Sequence, residues 1–229
     1  MANIQETNAD QLQSVNRQTT SQLVYEHLRE ALHQGKFEPG QRLDQKLIAD
    51  QLGTSRMPVR EALNRLETEG FIKITPYQGA EVVRLSDDEL EELYQVRVYL
   101  EGLAMKFAAA SLDPKQLGSL REIVKKMEGC LATDNYVEYR ILNRQFHCEM
   151  YEAANSKLLL KMVMDLWDKA ELYRHAFLSM PERAAYIQKE HREIMDALEV
   201  GDGALAEKAM RDHLMVAKTA LLRHLKSES

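Results

Sequence analysis

The hydrophobic periodicity of this 229-residue chain changes once, close to Arg84. Before Arg84, three short segments with helical spacing precede two strand-like runs. From Ser86 onward, every periodic segment has the spacing of a helix. This pattern predicts a mainly α-helical protein with two domains, residues 19–84 and residues 85–229, each with its own apolar core.

Residues 1–18 are rich in Gln, Asn and Thr and have no apolar periodicity, so we predict a disordered arm. The chain has no apolar run of the roughly 18–20 residues that a membrane span requires. Its polar beginning also lacks the apolar segment of a signal peptide. We therefore expect a cytoplasmic protein that does not enter a membrane.

The net charge of −6 argues against a protein that coats nucleic acid without sequence preference. It does not exclude a locally basic surface, because salt screens charges beyond roughly 8–10 Å. The two cysteines are too few for a disulfide framework. An acidic body with a small DNA-reading surface is compatible with this composition.

Three short helices are predicted before Arg84. The first covers residues 19–35, and a turn, residues 36–43, follows it. Asp44 is placed to cap the second helix and Ser55 to cap the third. The apolar positions expected to face the core are Leu47, Ile48 and Leu52 in the second helix and Val59, Ala62, Leu63 and Leu66 in the third.

The two strand-like runs, residues 71–74 and 80–83, flank turn residues and predict a β-hairpin. Three short helices followed by a hairpin is the layout of a winged helix-turn-helix. The connection between the second and third helices, residues 52–55, is short and contains a glycine, as that motif requires. The first domain is therefore predicted to bind DNA.

The start of the third helix carries side chains that can read DNA. Arg56 and Arg60 are four residues apart and share one helix face. Arginine binds guanine through two hydrogen bonds or clamps a phosphate. The alternative is that both arginines are solvated, or pair with Glu61 or Glu67. Further candidates for contacts with DNA are Lys46, Thr54 and Ser55.

Residues 41–83, with the run LGTSRMPVREALNRLETEG, resemble the DNA-binding domain of the GntR family of bacterial regulators. The resemblance implies that Arg56 and Arg60 are the two arginines of the recognition helix. It also implies that Lys46 in the preceding helix makes a basic contact and that Met57 and Pro58 lie near the bases. Gln78 and Gly79 match the wing tip, which in the family enters the minor groove.

The second domain is predicted to be an antiparallel bundle of about six helices. Its histidines His191 and His213 each lie eleven residues from Asp202, in a Gly-Asp-Gly turn. If this turn joins an antiparallel helix pair, the two imidazoles lie at the same height. A third histidine, His147, shares a helix face with Asn143. Three imidazoles that converge inside a bundle can hold a divalent cation such as Zn²⁺, Ni²⁺ or Mn²⁺.

Residues 86–226 resemble the FCD-type effector domain of the FadR subfamily. The matching stretches are VRVYLEGLAMKFAA, NRQFHCEMYEAANSKLL and EHREIMDALEVGDGALAEKAMRDHL. The resemblance implies a central cavity where an Asp and three His hold a metal, with an effector beside it. His147, His191 and His213 match the three histidines, but Asn143 stands at the Asp position. An amide oxygen is a weaker ligand than a carboxylate, so two readings stay open: weaker or differently selective metal binding, or direct contact with the effector.

Arg97 occupies a position in the stretch VRVYLE that points to the cavity in the family. It can pair with a carboxylate of the effector. The alternative is an ion pair with Glu101, four residues further on. Tyr94 and Arg140 are further candidates for contacts with the effector.

These observations predict a homodimeric repressor that reads a palindromic operator in double-stranded DNA and responds to a small carboxylate metabolite. One alternative is a metal-dependent enzyme that uses the three histidines. An enzyme of this kind needs a general acid or base near the metal, and the sequence has no HExxH motif. Glu149 and Glu190 are expected to lie off the helix face that carries the histidines. The other alternative is an architectural protein that binds DNA without an effector.

Overall fold

The structure is a computed structural model that describes residues 19–178 and 181–227, without the side chains of residues 174–185 and 226–227. The predicted arm, residues 1–18, lies outside the described residues. The described chain before Arg84 forms three helices and a small antiparallel sheet. These elements are α1 (Thr20–His33), β1 (Arg42–Leu43), α2 (Gln45–Gln51), α3 (Arg56–Thr68), β2 (Ile72–Thr75) and β3 (Gly79–Val82).

The α2–turn–α3 unit forms where the sequence predicts it. The Asp44 carboxylate accepts hydrogen bonds from the amides of Lys46 (2.7 Å) and Leu47 (3.1 Å), which caps α2. Gly53 takes the left-handed backbone (φ +61°) that the tight turn requires. The four apolar positions predicted to face inward from α3 are confirmed as buried. They are Val59, Ala62, Leu63 and Leu66.

Two predictions for this region are wrong. Leu47 and Leu52 are exposed by 57% and 39%, and of the three positions predicted to face inward from α2 only Ile48 is buried. The helix α2 has seven residues, about two turns, and ends before Leu52. Its buried residues are Ile48 and Ala49, so it is too short to bury all three predicted positions. The turn over residues 36–43 also contains a strand, because Leu43 is buried and β1 pairs with β3. A two-residue strand is too short to show alternation.

The sheet has the order β1-β3-β2, and both pairings are antiparallel. The hairpin of β2 and β3 is the predicted wing. Its register pairs Ile72 with Val82 and Thr75 with Gly79. The wing therefore projects three loop residues, 76–78, beyond the last paired position.

Six helices make up the described chain after Ser86, in agreement with the predicted bundle. They are α4 (Asp87–Ser111), α5 (Pro114–Ala132), α6 (Tyr136–Glu152), α7 (Lys157–Leu178), α8 (Pro181–Val200) and α9 (Gly203–Ser227). Ser86 and Glu89 form a capping box at the start of α4. Gly201 (φ +73°) ends α8 and lets α9 turn back along it. None of the helices in the described part of the chain is both long and apolar enough to cross a membrane.

The helix α1 of the first domain packs on α7 of the second. Arg140 of α6 donates from Nη1 to the carbonyl oxygen of Gln34, at the end of α1 (3.3 Å). The backbone amide of Leu85 donates to the hydroxyl of Tyr173 in α7 (2.5 Å). The first domain is therefore held against the same helices, α6 and α7, that form part of the bundle core.

The core of the first domain depends on α3. We expect Leu63→Ala to lower the free energy of unfolding by about 2–5 kcal/mol, because Leu63 is fully buried and alanine leaves a cavity. Leu47→Ala, at an exposed position of the neighbouring helix, is the matched control and should change stability by less than about 0.5 kcal/mol. Urea denaturation followed by circular dichroism measures both, and equal losses would contradict the assignment of Leu63 to the core.

Candidate functional site

The N-terminal end of α3 presents an exposed basic face. Arg56 and Arg60 are both exposed, and the Arg60 guanidinium contacts the sulfur of Met57 (3.2 Å). Within residues 19–178 and 181–227, neither arginine forms an ion pair with Glu61 or Glu67. Glu67 instead accepts a hydrogen bond from the Ile74 amide (2.8 Å). Both guanidinium groups are thus available to a ligand outside the protein.

The other residues predicted to contact DNA surround this face. Ser55 begins α3, but its hydroxyl makes no capping hydrogen bond, so the first amides of the helix remain available to an anion. Thr54 and Pro58 are half-buried, whereas Lys46 and Met57 are exposed. The wing residues Gln78, in the loop, and Gly79, at the start of β3, are both exposed.

Tyr77, at the tip of the wing, is a candidate that the sequence analysis missed. Its side chain is fully exposed, and its backbone is left-handed (φ +65°), which is uncommon for an aromatic residue. The sequence did contain a signal for this candidate, because Tyr77 is an aromatic residue between Pro76 and the two residues predicted to form the wing tip.

The structure brings His147 of α6, His191 of α8 and His213 of α9 together in the bundle core. All three are buried, and one ring nitrogen from each lies within 4.8 Å of those of the other two. The Nε2 atoms of His147 and His191 are 3.3 Å apart. Two nitrogens bound at 2.0–2.1 Å to one tetrahedral ion lie roughly 3.3 Å apart, so this pair has the spacing of metal ligands.

Hydrogen bonds to Nδ1 orient two of these imidazoles. The Tyr151 hydroxyl donates to the Glu101 carboxylate, so it accepts from Nδ1 of His147 (2.9 Å). Nδ1 of His213 lies 2.7 Å from a carboxylate oxygen of Glu190, which can only accept. In the neutral rings, both Nδ1 atoms therefore carry the proton, and each Nε2 atom carries a lone pair of the kind that binds a metal ion.

The contact between Glu190 and His213 corrects the expectation that Glu190 lies off the histidine face. Glu190 precedes His191 on α8, and it reaches across to α9 because these two helices pack side by side. Glu149 does lie elsewhere, where it accepts hydrogen bonds from Ser119 and Gln145.

Asn143 is buried one turn before His147 on α6. Its Oδ1 atom has no hydrogen-bond partner in the described structure. A buried oxygen without a donor costs roughly 1–3 kcal/mol, so this atom is suited to a cation or to a donor group of a ligand. A neutral amide oxygen one helical turn from His147 is of the type that can bind a divalent cation, although it supplies no charge.

Arg97 is fully buried and donates from Nε to the Glu101 carboxylate (2.6 Å), so the predicted alternative of an ion pair is present. Its guanidinium group also lies over the rings of Tyr94 (4.8 Å) and Trp167 (5.3 Å). Burial opposes the positive charge, but the Glu101 carboxylate outweighs this effect and holds the pKa of Arg97 above its ordinary value. Its Nη1 atom has no partner among the residues described, which leaves one donor for an anionic ligand.

Arg140 is not brought to the three histidines. It lies in a cleft of about 580 Å³ between α1 and α6, where it holds the end of α1 through Gln34. The expectation that Arg140 lines the same cavity as Tyr94 and Arg97 is therefore not supported by its position. Helix periodicity could not detect this, because it does not indicate which neighbour each face of α6 contacts.

Comparison with known proteins matches both parts of the chain to families. Residues 20–82 match the family described as bacterial regulatory proteins, gntR family, and residues 92–215 match the FCD domain. The match to the FCD domain alone spans more than half of the chain. The matched families are those of transcription regulators and not of enzymes.

Three relatives carry names of regulators. The HTH-type transcriptional regulator McbR of Escherichia coli (strain K12) is 33% identical over 144 residues, which cover 63% of this chain and 65% of McbR. That alignment spans just under two thirds of the length of McbR. The regulator YdhC of Bacillus subtilis (strain 168) is 26% identical over 88% of this chain and 89% of its own. The transcriptional repressor GlaR of Escherichia coli (strain K12) is 26% identical over 83% of this chain and 90% of its own.

A solved structure of Escherichia coli McbR/YncC superposes on the chain with a TM-score of 0.80 and 25% identity. The superposition covers 90% of this chain and 99% of that one. This likeness agrees with the order of a winged helix-turn-helix followed by a helical bundle.

The buried pair of Arg97 and Glu101 generates a stability prediction. Glu101→Gln should lower the free energy of unfolding by about 3–5 kcal/mol, because it leaves the buried Arg97 charge without its partner. Asp165→Asn is the matched control, since Lys161 and Asp165 have the same spacing on an exposed helix face. We expect the control to change stability by less than about 1 kcal/mol in urea denaturation. A loss for Glu101→Gln as small as that of the control would contradict the role of the ion pair.

Proposed function

Because the chain belongs to the GntR family of bacterial regulatory proteins and carries an FCD domain, we propose that it is an effector-responsive repressor that binds a palindromic operator as a homodimer. In this proposal residues 19–84 form the DNA-reading head, and residues 85–229 bind the effector and form the dimer. The protein acts in the cytoplasm, where its operator lies. The exposed pair of arginines at the start of α3, neither of which forms a salt bridge with a described carboxylate, is the observation that carries the proposal.

The chemistry of this face suits duplex DNA. Arg56 and Arg60 project from one face of a helix whose N-terminal residues can reach base edges in the major groove. The uncapped amides at Ser55 and the exposed Lys46 suit phosphate oxygens on either side. The wing, with Gln78 and Gly79, is placed to follow the backbone into the minor groove. The overall negative charge favours selective contact at this face over general binding.

The proposed dimer interface is an exposed apolar side of α4. Val96, Tyr99 and Phe107 are exposed by 42%, 64% and 42%, and their spacing places them along one side of this helix. An apolar stripe on a 25-residue helix is suited to a symmetric contact with a second copy. Two heads related by a two-fold axis then read the two halves of a palindrome.

The effector site is proposed at the three histidines. His147, His191 and His213 would hold Zn²⁺, Ni²⁺ or Mn²⁺ through ring nitrogens, and Asn143 is placed to add its amide oxygen. When bound, such a cation supplies a positive centre that attracts a carboxylate oxygen. Arg97, with its unpartnered Nη1, supports the choice of a carboxylate as the effector. In the alternative hypothesis, the histidines contact the effector without a metal. Measuring the metal content of the protein distinguishes the two hypotheses.

The architectural alternative predicts that no metabolite changes the affinity for the operator. GlaR, which aligns over most of its length, is named a repressor, and this supports repression over a purely architectural role.

The DNA-binding proposal is tested on a duplex selected from a random library with the wild-type protein. Arg56→Ala and Arg60→Ala should each weaken binding by about 5- to 150-fold in fluorescence anisotropy at fixed salt, since a paired arginine contributes about 1–3 kcal/mol of discrimination. Arg121→Ala, an exposed arginine of the second domain that pairs with Glu199, is the control and should bind as the wild type does. Sedimentation should give two copies per duplex. Unchanged affinity in both α3 variants, or one copy per duplex, would overturn this part of the proposal.

The metal proposal is tested on untagged protein dialysed against Zn²⁺, Ni²⁺ or Mn²⁺. Elemental analysis should find about one ion per chain in the wild type and none when His147, His191 and His213 are all alanine. His27→Ala, at an exposed position of α1, is the control and should retain the ion. Asn143→Asp should bind the ion more tightly, because a carboxylate adds charge to the same position. A wild type that takes up no ion would refute the metal site and favour direct contact with the effector.

A further inference from the structure

The buried carboxylate of Asp168 joins the DNA-reading head to the helical domain. Asp168 of α7, whose side chain is 8% exposed, accepts from Nη2 of Arg29 in α1 (2.5 Å). It also accepts from Nη2 of Arg144 in α6 (2.7 Å). His33, at the end of α1, lies 4.0 Å from the same carboxylate. Two guanidinium groups from different domains thus share one acceptor.

The residues beside this junction belong to the three-histidine site. Asp168 directly follows Trp167, whose ring packs on the imidazole of His147 with 4.6 Å between centroids. Arg144 directly follows Asn143. Successive residues of a helix point about 100° apart, so α6 and α7 each have one residue at the site and the next, Arg144 or Asp168, at the junction.

Arg29 has a second acceptor within its own domain. Its Nε atom lies 3.9 Å from a carboxylate oxygen of Glu69, at the end of α3. Both oxygens of Glu69 already accept from the hydroxyl of Tyr25 (2.8 Å each). In the structure the guanidinium group contacts both carboxylates, and its closer contact, with Asp168, ties the head to the helical domain. A shift of this group toward Glu69 would give a second arrangement, in which the head is on its own.

We propose that Asp168 is the positioning residue through which occupancy of the three-histidine site changes the hold on the DNA-reading head. A ligand that draws His147 toward itself moves the packed Trp167 ring and, with it, the adjacent Asp168. The carboxylate then favours either Arg144 or Arg29, and the head is released or held. The inference rests on the proposed function, because the site must take up a ligand for the change to occur. The ligand shifts this equilibrium only by its difference in affinity for the two arrangements.

Two other contacts hold the head against the helical domain without adjoining the three-histidine site. Arg140 reaches the carbonyl of Gln34, and Tyr173 accepts from the Leu85 amide, so both hold the head through backbone groups. The described structure places neither against the three histidines. They should keep the two domains together when the charge of Asp168 is removed, which makes a variant at Asp168 informative.

The experiment uses the full chain, the selected duplex and Zn²⁺ as the probe. In the wild type, we expect zinc to change the affinity for the duplex by at least about fivefold, the lower end of typical allosteric couplings. Asp168→Asn should bind zinc with the wild-type stoichiometry and still bind the duplex, but zinc should change its affinity by less than about twofold. Asp165→Asn, the same substitution three residues earlier on an exposed face, should respond as the wild type does. A full zinc response in Asp168→Asn overturns the inference.

Arg29→Gln provides a second variant if Asp168→Asn does not fold, and it should lose the zinc response in the same way. A wild type that binds no zinc refutes the metal part of the proposed function, and coupling is then measured by mutation alone. His147→Ala and Asp168→Asn are combined, and their effects on affinity for the duplex are compared. Effects that deviate from additivity by at least about threefold support the inference, and additive effects overturn it.

Discussion

The buried ion pair between Arg97 and Glu101 supports the arrangement of the three-histidine site. Glu101 accepts from the Arg97 guanidinium and from the Tyr151 hydroxyl, and Tyr151 in turn orients the imidazole of His147. An ionised carboxylate in a protein core must have such partners, because burial without them costs several kcal/mol. The same guanidinium packs on Trp167, which packs on His147. The ion pair therefore helps to fix which ring nitrogen of His147 carries the proton and where this imidazole lies.

The site and the head are connected because α6 and α7 serve both. Each helix contributes one residue to the surroundings of the histidine cluster and the next residue, Arg144 or Asp168, to the junction, where Asp168 binds Arg29 of α1. Asp168 is the point where these contacts meet, since it receives an arginine from each domain. Such an arrangement requires no long chain of contacts between the effector site and the DNA-reading head. The distance is bridged by two adjacent positions in the sequence, Trp167 and Asp168.

Patterns of neighbouring residues predicted the local structure well. The inward face of α3, the cap of α2 at Asp44 and the hairpin of the wing all follow from spacing and from turn residues. Predictions were wrong where the length of an element, or the element packed against it, determined which residues are buried or paired. Leu47 and Leu52 are exposed because α2 is too short to bury them, and β1 exists only because β3 lies beside it. Arg140 and Glu190 were misplaced because periodicity does not indicate which helix packs on which face.

The sequence by itself determined the mainly helical class, the winged helix-turn-helix layout and the three histidines as a candidate cluster. The first two depend on interactions between residues a few positions apart, whose chemistry is visible in the order of the chain. The cluster was predicted from the position of the Gly-Asp-Gly turn and from the resemblance to the FCD domain. Only the tertiary structure decided that Glu190 holds His213, that Tyr151 and Glu101 orient His147, and that Asp168 joins the two domains. Apart from Tyr151 and His147, which are four residues apart on α6, these contacts join residues 23 to 139 positions apart. They exist because helix packing brings distant side chains into one buried volume.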